Sequence, residues 1–94
     1  VAIRTFRDKA SEAVFRGKRA KGVPSDLVRR LAVRLAVLDN AEGLNQLAAL
    51  PGSNFEALAG DRQGQYSIRV NKQWRVCFRW RDGDAYDVEF VDYH

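Results

Sequence analysis

Two hydrophobic periods divide the chain, one helical up to about Leu50 and one of two residues beyond Gly60. The opening Val1-Ala2-Ile3-Arg4-Thr5-Phe6 is short, partly alternating and β-branched, which predicts a brief strand. A helix is expected from Asp8, which can cap it, with Ala10, Ala13, Val14 and Phe6 as a narrow apolar stripe and Gly17 as terminator. Residues 18–22 form a basic connector. Pro24-Ser25-Asp26 then opens a second helix, with Ser25 or Asp26 placed to satisfy free backbone N–H groups. Leu27, Val28, Leu31, Leu35 and Leu38 recur on one helical face, and Arg29, Arg30 and Arg34 fall off it. Residues 41–50 predict a further short helical turn, closed by Pro51-Gly52.

Beyond Gly60, Tyr66, Ile68 and Val70 alternate with Ser67 and Arg69, and Asn71-Lys72 reads as a turn. Trp74, Val76, Phe78 and Trp80 share one face of the next strand, and Arg75, Cys77, Arg79 and Arg81 share the other. Asp82-Gly83 is a hairpin signal. The return strand is expected to carry Tyr86, Val88 and Phe90 on one face and Asp87, Glu89 and Val91 on the other. The order of elements predicts a single α+β domain over residues 1–94, an N-terminal helical pair packed on an antiparallel sheet built mainly from residues 65–92. The face bearing Trp74, Phe78, Trp80, Tyr86 and Phe90 calls for burial under the helices. The other face, with Arg69, Arg75 and Arg79, suits either a nucleic-acid strand or a lattice of salt-bridged pairs such as Arg79 with Glu89.

With 46% apolar and 11% aromatic residues, the chain is neither disordered nor of low complexity. One cysteine, Cys77, excludes an intramolecular disulfide framework, and one cysteine with one histidine excludes a standard zinc site. No cofactor or metal is expected. No apolar run spans a membrane and no signal-peptide pattern opens the chain, so a reducing cytoplasm is the simplest compartment. Charge adds more. The net +4 is concentrated in residues 1–30, which carry nine basic and three acidic residues, while residues 61–94 balance at six of each. A basic stretch between Lys9 and Arg34 fits a phosphate-rich or acidic partner, and a solvated helix face reads as well.

The chain ends in Phe90-Val91-Asp92-Tyr93-His94, a carboxylate, a phenol and an imidazole suited to moving protons near neutral pH. Cleaving an RNA phosphodiester requires deprotonation of a 2′-OH, stabilisation of a pentacoordinate phosphate and protonation of the leaving 5′ oxygen. His94 or Tyr93 can serve the proton steps, and Arg75 can hold phosphoryl oxygens bidentately. Counting along the hairpin places Phe90 opposite Arg75, with the tail just beyond. Cys77 reads as a small buried hydrophobe without chemistry.

Four segments carry a resemblance: Gly60-Asp61-Arg62-Gln63-Gly64-Gln65-Tyr66-Ser67-Ile68, Asn71-Lys72-Gln73-Trp74-Arg75-Val76-Cys77-Phe78, Asp82-Gly83-Asp84-Ala85-Tyr86 and Val91-Asp92-Tyr93-His94. With Ile3-Arg4-Thr5-Phe6-Arg7-Asp8-Lys9 and the Val23-Pro24 helix entry, the whole chain resembles the HigB-type toxins. These belong to the RelE/ParE superfamily and are also described as plasmid-maintenance killer proteins. The resemblance implies a microbial-ribonuclease-like fold and metal-independent cleavage of mRNA on the ribosome by 2′-OH attack. It implies a helix-turn-helix antitoxin of the HigA type as partner, with operator DNA bound only through that antitoxin, and no membrane.

Residue by residue, the family's arginine falls on Arg75 and its terminal acid, tyrosine and histidine on Asp92, Tyr93 and His94. Arg62, Arg69, Lys72 and Arg79 are the expected RNA contacts. Two positions depart from the pattern. Some members have an active-site histidine where this chain has Glu56, a candidate base at the edge of the site. Many have a lysine where it has Ala59. A toxin acting on a protein such as DNA gyrase, or a regulatory partner that has lost catalysis, are the competing readings.

Overall fold

The computed structural model describes residues 2–93, so His94 lies outside the described residues. Its architecture is α+β. Helix α1 spans Lys9–Phe15, α2 spans Val28–Asn40 after a 3₁₀ turn at Ser25–Leu27, and α3 spans Leu44–Ala49. The sheet follows: β1 (Glu56–Ala57), β2 (Gln65–Arg69), β3 (Trp74–Arg81) and β4 (Asp84–Asp92), in that spatial order and all antiparallel. The opening segment runs parallel to β4 through bridges at Ile3–Ala85 and Phe6–Val88. Asp39 at the end of α2 anchors that segment, its carboxylate accepting from the N–H groups of Ala2 and Ile3 at 3.1 Å each.

The expected helical face is the buried one. Leu31, Leu35 and Leu38 of α2 and Leu47 of α3 pack without exposure against Ile68, Val76, Phe78 and Val88 of the sheet. Each such leucine is worth roughly 2–5 kcal/mol against alanine. Trp74 lies flat on Phe90, ring centroids 4.3 Å apart, at the end of that face. Val28, at the start of α2, departs from the expected burial and is exposed. Neither Ser25 nor Asp26 caps this helix through its side chain.

Asp8 does cap α1, its Oδ1 accepting from Ser11 N at 3.0 Å, and Gly17 ends the turn with φ +72°. The same carboxylate reaches the sheet: Oδ2 accepts from Phe90 N at 3.1 Å. The β3–β4 hairpin turns on Asp82 and Gly83, with φ +53° and +82°, the double left-handed conformation that Asp-Gly favours.

One irregularity changes which residues face where. From the turn to Arg79–Tyr86 the hairpin pairs regularly, but further on Cys77 opposes Glu89. Two residues of β4, Asp87 and Val88, therefore stand against the single Phe78, and Asp87 has φ +54°. The one-residue insertion corrects two expectations. Tyr86 shares the face of Arg79, not the core face, and its ring lies 4.7 Å beneath the Arg81 guanidinium. Arg75 opposes Val91 instead of Phe90.

Asp8→Ala should cost about 1–3 kcal/mol, because it leaves a helix N–H and a strand N–H without acceptors at once. Urea unfolding of the variant checks this; a loss no larger than a few tenths would mean that water replaces both bonds.

Candidate active site

Arg75 lies on the face of β3 away from the helices, with its side chain only 11% exposed. Its Nη1 is 2.9 Å from Oε1 of Glu56 on the edge strand β1, and its Nη2 donates to the carbonyl of Asn54. Its Nε is buried and has no partner among the described residues. The Tyr93 ring stands over the guanidinium, 5.6 Å from centroid to Cζ, which is cation–π range.

The residue directly across β2 from Arg75 is Arg69. Like charges opposite one another destabilise a sheet unless something screens them. Between Arg69, Arg75 and Tyr93 opens a cavity of about 300 Å³, completed by Asn54, Asn71 and Lys72. Three cations converge there, and the one carboxylate paired with them, Glu56, is more than half exposed at the edge. Its lining combines an arginine held by Glu56 and the Asn54 carbonyl, two further cations and two side-chain amides, a set whose excess positive charge suits an anion.

Arg62 takes a different position. Its Nη1 donates to Gln65 Oε1 and to Glu89 Oε1, both at 3.1 Å, bringing it across the sheet face. Burial works against its charge, but the hydrogen bond and attraction of Glu89 leave the guanidinium raised above its ordinary value. Glu89 thus pairs with Arg62, and Arg79 pairs with Asp87 at 3.5 Å, which corrects the expected Arg79–Glu89 pair. The bulge is the reason, since it brings Asp87 beside Arg79 and moves Glu89 opposite Cys77. Arg62 lines a second, more open hollow of about 480 Å³ with Val91, Asp92 and Tyr93.

Of the expected site residues, Arg75, Arg69, Lys72 and Tyr93 share one cavity and Glu56 closes its edge. Asp92 is placed across from Trp74, so alternation puts it on the opposite face from Arg75, and Gln73 Nε2 donates to its Oδ2 at 3.0 Å. Arg79 belongs to a separate hollow with Trp80, Arg81 and Tyr86. Sequence reasoning missed Asn54 and Asn71. The Asn71 side chain forms an Asx turn, accepting from Gln73 N at 2.9 Å and Trp74 N at 2.8 Å, a role its place in a turn could have signalled. Asn54 has φ +42°, a conformation asparagine tolerates, and the hydrophobic pattern carries no sign of it.

Beneath the arginines, Ser67 and Cys77 are fully buried, although no helix covers their face. The Arg62–Glu89 bridge and the side chain of Arg75 close over them. Cys77 therefore lies between ionic groups instead of among aromatic rings. Burial pushes its thiol up; Arg62 and Arg75 pull it down and Glu89 pushes it further up.

Solved structures place the fold. A YafQ variant from E. coli superposes with a TM-score of 0.61 at 13% identity, over 96% of this chain and 90% of its own. A chain of the YoeB–YefM complex from Staphylococcus aureus superposes with a TM-score of 0.60 at 20% identity, over 100% of this chain and 99% of its own. The chain therefore shares the fold of these two structures.

The family follows from sequence. The model of the RelE-like toxin of type II toxin–antitoxin system HigB matches residues 4–94, and the chain belongs to that family of HigB-like toxins. Toxin HigB-1 of Vibrio cholerae is 40% identical over 90 residues, covering 95% of this chain and 94% of that protein. Endoribonuclease HigB of Proteus vulgaris is 35% identical over 92 residues, covering 98% and 99%. Membership of this family also supplies an antitoxin as partner. No helix among the described residues is long and apolar enough to cross a membrane.

The buried thiol makes a prediction of its own. A thiol raised in the folded state stays neutral while its unfolded counterpart ionises. Its contribution to stability is complete below the ordinary thiol range and lost as pH rises through the folded value. Native protein at neutral pH should leave Cys77 unmodified by iodoacetamide for as long as it stays folded, and urea midpoints should fall at alkaline pH. Rapid alkylation of folded protein would contradict the burial.

Proposed function

We propose that this toxin is an endoribonuclease that cuts mRNA on the ribosome by 2′-OH attack and is silenced by a helix-turn-helix antitoxin of the HigA type. The observation that carries the proposal is the facing pair Arg69 and Arg75. Two guanidiniums held opposite each other, one nearly buried and with an unpartnered Nε, form a place for a shared anion. The relative named an endoribonuclease, 35% identical over almost its full length, supports reading that anion as an RNA phosphate.

In this reading Arg75 stabilises the charge that gathers on the non-bridging oxygens as the 2′ oxygen attacks phosphorus, with Arg69 and Lys72 neutralising the strand around it. The 2′ proton passes to a base, the bond to the 5′ oxygen breaks, and that oxygen takes a proton. The products are a 2′,3′-cyclic phosphate and a 5′-hydroxyl. Tyr93 stands beside the guanidinium and His94 follows it in sequence, so the proton steps are assigned to these two. Asp92 lies on the other face and is assigned to holding the end of β4 through Gln73.

Glu56 holds Arg75 when the cavity is empty, and an entering phosphate competes with it for Nη1. Arg62 keeps its place over Cys77 and offers its charge to the strand at the Tyr93 side; Arg79 serves RNA only further along the face. Operator DNA is contacted only through the antitoxin, and the working compartment is the cytoplasm.

Arg75→Ala should lower cleavage on the order of a hundredfold or more with little change in melting temperature, and Arg75→Lys should recover only part of it. Mapping of new mRNA 5′ ends on purified ribosomes reads the rate. An unchanged rate would remove Arg75 from the reaction.

Glu56→Gln separates two roles for the edge carboxylate. As a holder of Arg75, its loss should leave kcat within a few-fold and lower KM. A general base would instead lose about 10²–10⁴ in kcat, together with the acidic limb of the pH profile.

A further inference from the structure

A cavity of about 710 Å³ lies beside the Arg75 site. It is a groove between the exposed side of α2 and the end of β2. Arg29, Arg30 and Arg34 line it from the helix, Arg69 from the end of β2 and Asn71 from the turn after it, and Asp26 also lines it. Arg30 and Arg34 are one helical turn apart on the same side, about 6 Å along the axis. Arg34 leans toward the Pro51-Gly52 turn, its Nη2 at 3.5 Å from the Gly52 carbonyl.

Four guanidiniums in one groove with one carboxylate do not form a neutral surface. Five arginines elsewhere have acidic partners, Arg4 with Asp84, Arg16 with Glu12, Arg62 with Glu89, Arg75 with Glu56 and Arg79 with Asp87, whereas Arg7, Arg19 and Arg81 stand apart without one among the described residues. In the groove, among the described residues, Arg29, Arg30, Arg34 and Arg69 form no ion pair, and Asp26 pairs with none of them. A solvated face that served stability alone would interleave its charges, since like-charge crowding costs energy.

The groove is also continuous with the Arg75 cavity. Arg69 and Asn71 line both. A strand with a phosphate at Arg75 leaves that cavity past Arg69 and enters the groove directly.

We propose that the groove holds the backbone of the same single-stranded RNA that is cut, gripping the phosphates on one side of the scissile bond through Arg29, Arg30 and Arg34. The inference rests on the endoribonuclease reading and extends it from one phosphate to a path along α2. It favours RNA over an acidic segment of the antitoxin because the groove is an extension of the reactive cavity, not a separate surface. Positioning neighbouring phosphates lets binding energy remote from the reacting bond fix the 2′-OH in line.

The test compares wild type with the double variant Arg29→Gln/Arg30→Gln, whose two positions are exposed, so the fold is left intact. The probes are fluorescent single-stranded RNA, a trimer and a dodecamer, with 2′-O-methyl sugars that prevent cleavage. Anisotropy titrations are run over a range of salt. Wild type should bind the dodecamer at least tenfold more tightly than the trimer at low salt. The double variant should lose most of that excess, keep its trimer affinity, and show a salt slope smaller by roughly 1.4 for two lost phosphate contacts.

Equal wild-type affinity for the two lengths overturns the proposal, and so does an unchanged slope in the variant. Two further measurements separate other occupants. If the variant binds the dodecamer normally but sediments less with ribosomes, the groove docks ribosomal RNA and the proposal fails. If it loses affinity only for the antitoxin, the partner is an acidic protein surface and the proposal fails. Ribosomal cleavage by Arg75→Ala is run alongside. A failed groove leaves the Arg75 effect in place, whereas a failed endoribonuclease reading removes it.

Discussion

The single extra residue in β4 opposite Phe78 governs both faces of the sheet. A strand alternates strictly, so an insertion reverses the facing of everything beyond it. On the tip side of the bulge Tyr86 looks away from the helices. On the far side Val88 and Phe90 look toward them, and Val91 opposes Arg75. Without the insertion, Phe90 would lie on the arginine face and its stacking on Trp74 would be lost. The opening segment holds this irregularity in place. Thr5 Oγ1 accepts from Asp87 N at 2.8 Å, the Thr5 carbonyl accepts from Val88 N at 3.1 Å, and Arg7 N donates to the Val88 carbonyl at 2.9 Å. A left-handed aspartate would otherwise be an expensive conformation in a strand. The N-terminal residues thus secure a kink that sets the register of the C-terminal ones.

The second consequence of that register is electrostatic. The face without helices has to bury Ser67 and Cys77, and it does so under long charged side chains. Arg62 can lie there because Glu89 meets it. Arg75 can lie there because Glu56 and the Asn54 carbonyl take two of its nitrogens. Removing one partner of such a pair leaves the other charge exposed to its neighbours, and here the neighbour of Arg75 is Arg69. The site is therefore strained in charge though not in covalent geometry, with an anion as the natural relief.

Much of this was legible from periodicity. The change from a helical to an alternating pattern located the helices and strands β2 to β4, and Asp8, Gly17 and Asp82-Gly83 marked their ends because each has a strong local preference. The facing of Tyr86 was not legible, since a bulge stabilised by residues eighty positions away leaves no mark on local alternation. β1 has two residues, too few for a period to register. Arg69, Arg75 and Lys72 line one cavity because two of them are cross-strand neighbours next to a turn that holds the third. Asp92 does not line that cavity: it stands opposite Trp74 at the end of β4, out of alternation with Arg75, and meets Tyr93 in the neighbouring hollow.

The distribution of acids across the fold extends this argument. Asp84, Glu12, Glu89 and Asp87 each neutralise an arginine outside the groove, so much of the basic charge is balanced for the sake of folding. Among the cations without an ion pair, one set lies together, running from Arg29 and Arg30 past Arg34 to Arg69 and Lys72. The family's lysine is absent at Ala59, but Ala59 lines neither this groove nor the Arg75 cavity. The cations that do line them come from α2, the end of β2, the following turn and the start of β3. A net charge of +4 states little about where a partner binds. The gathering of Arg29, Arg30, Arg34, Arg69 and Lys72 along one path states more, because charge so crowded is retained against its own repulsion, and a polyanion is the partner whose spacing of charges can offset it.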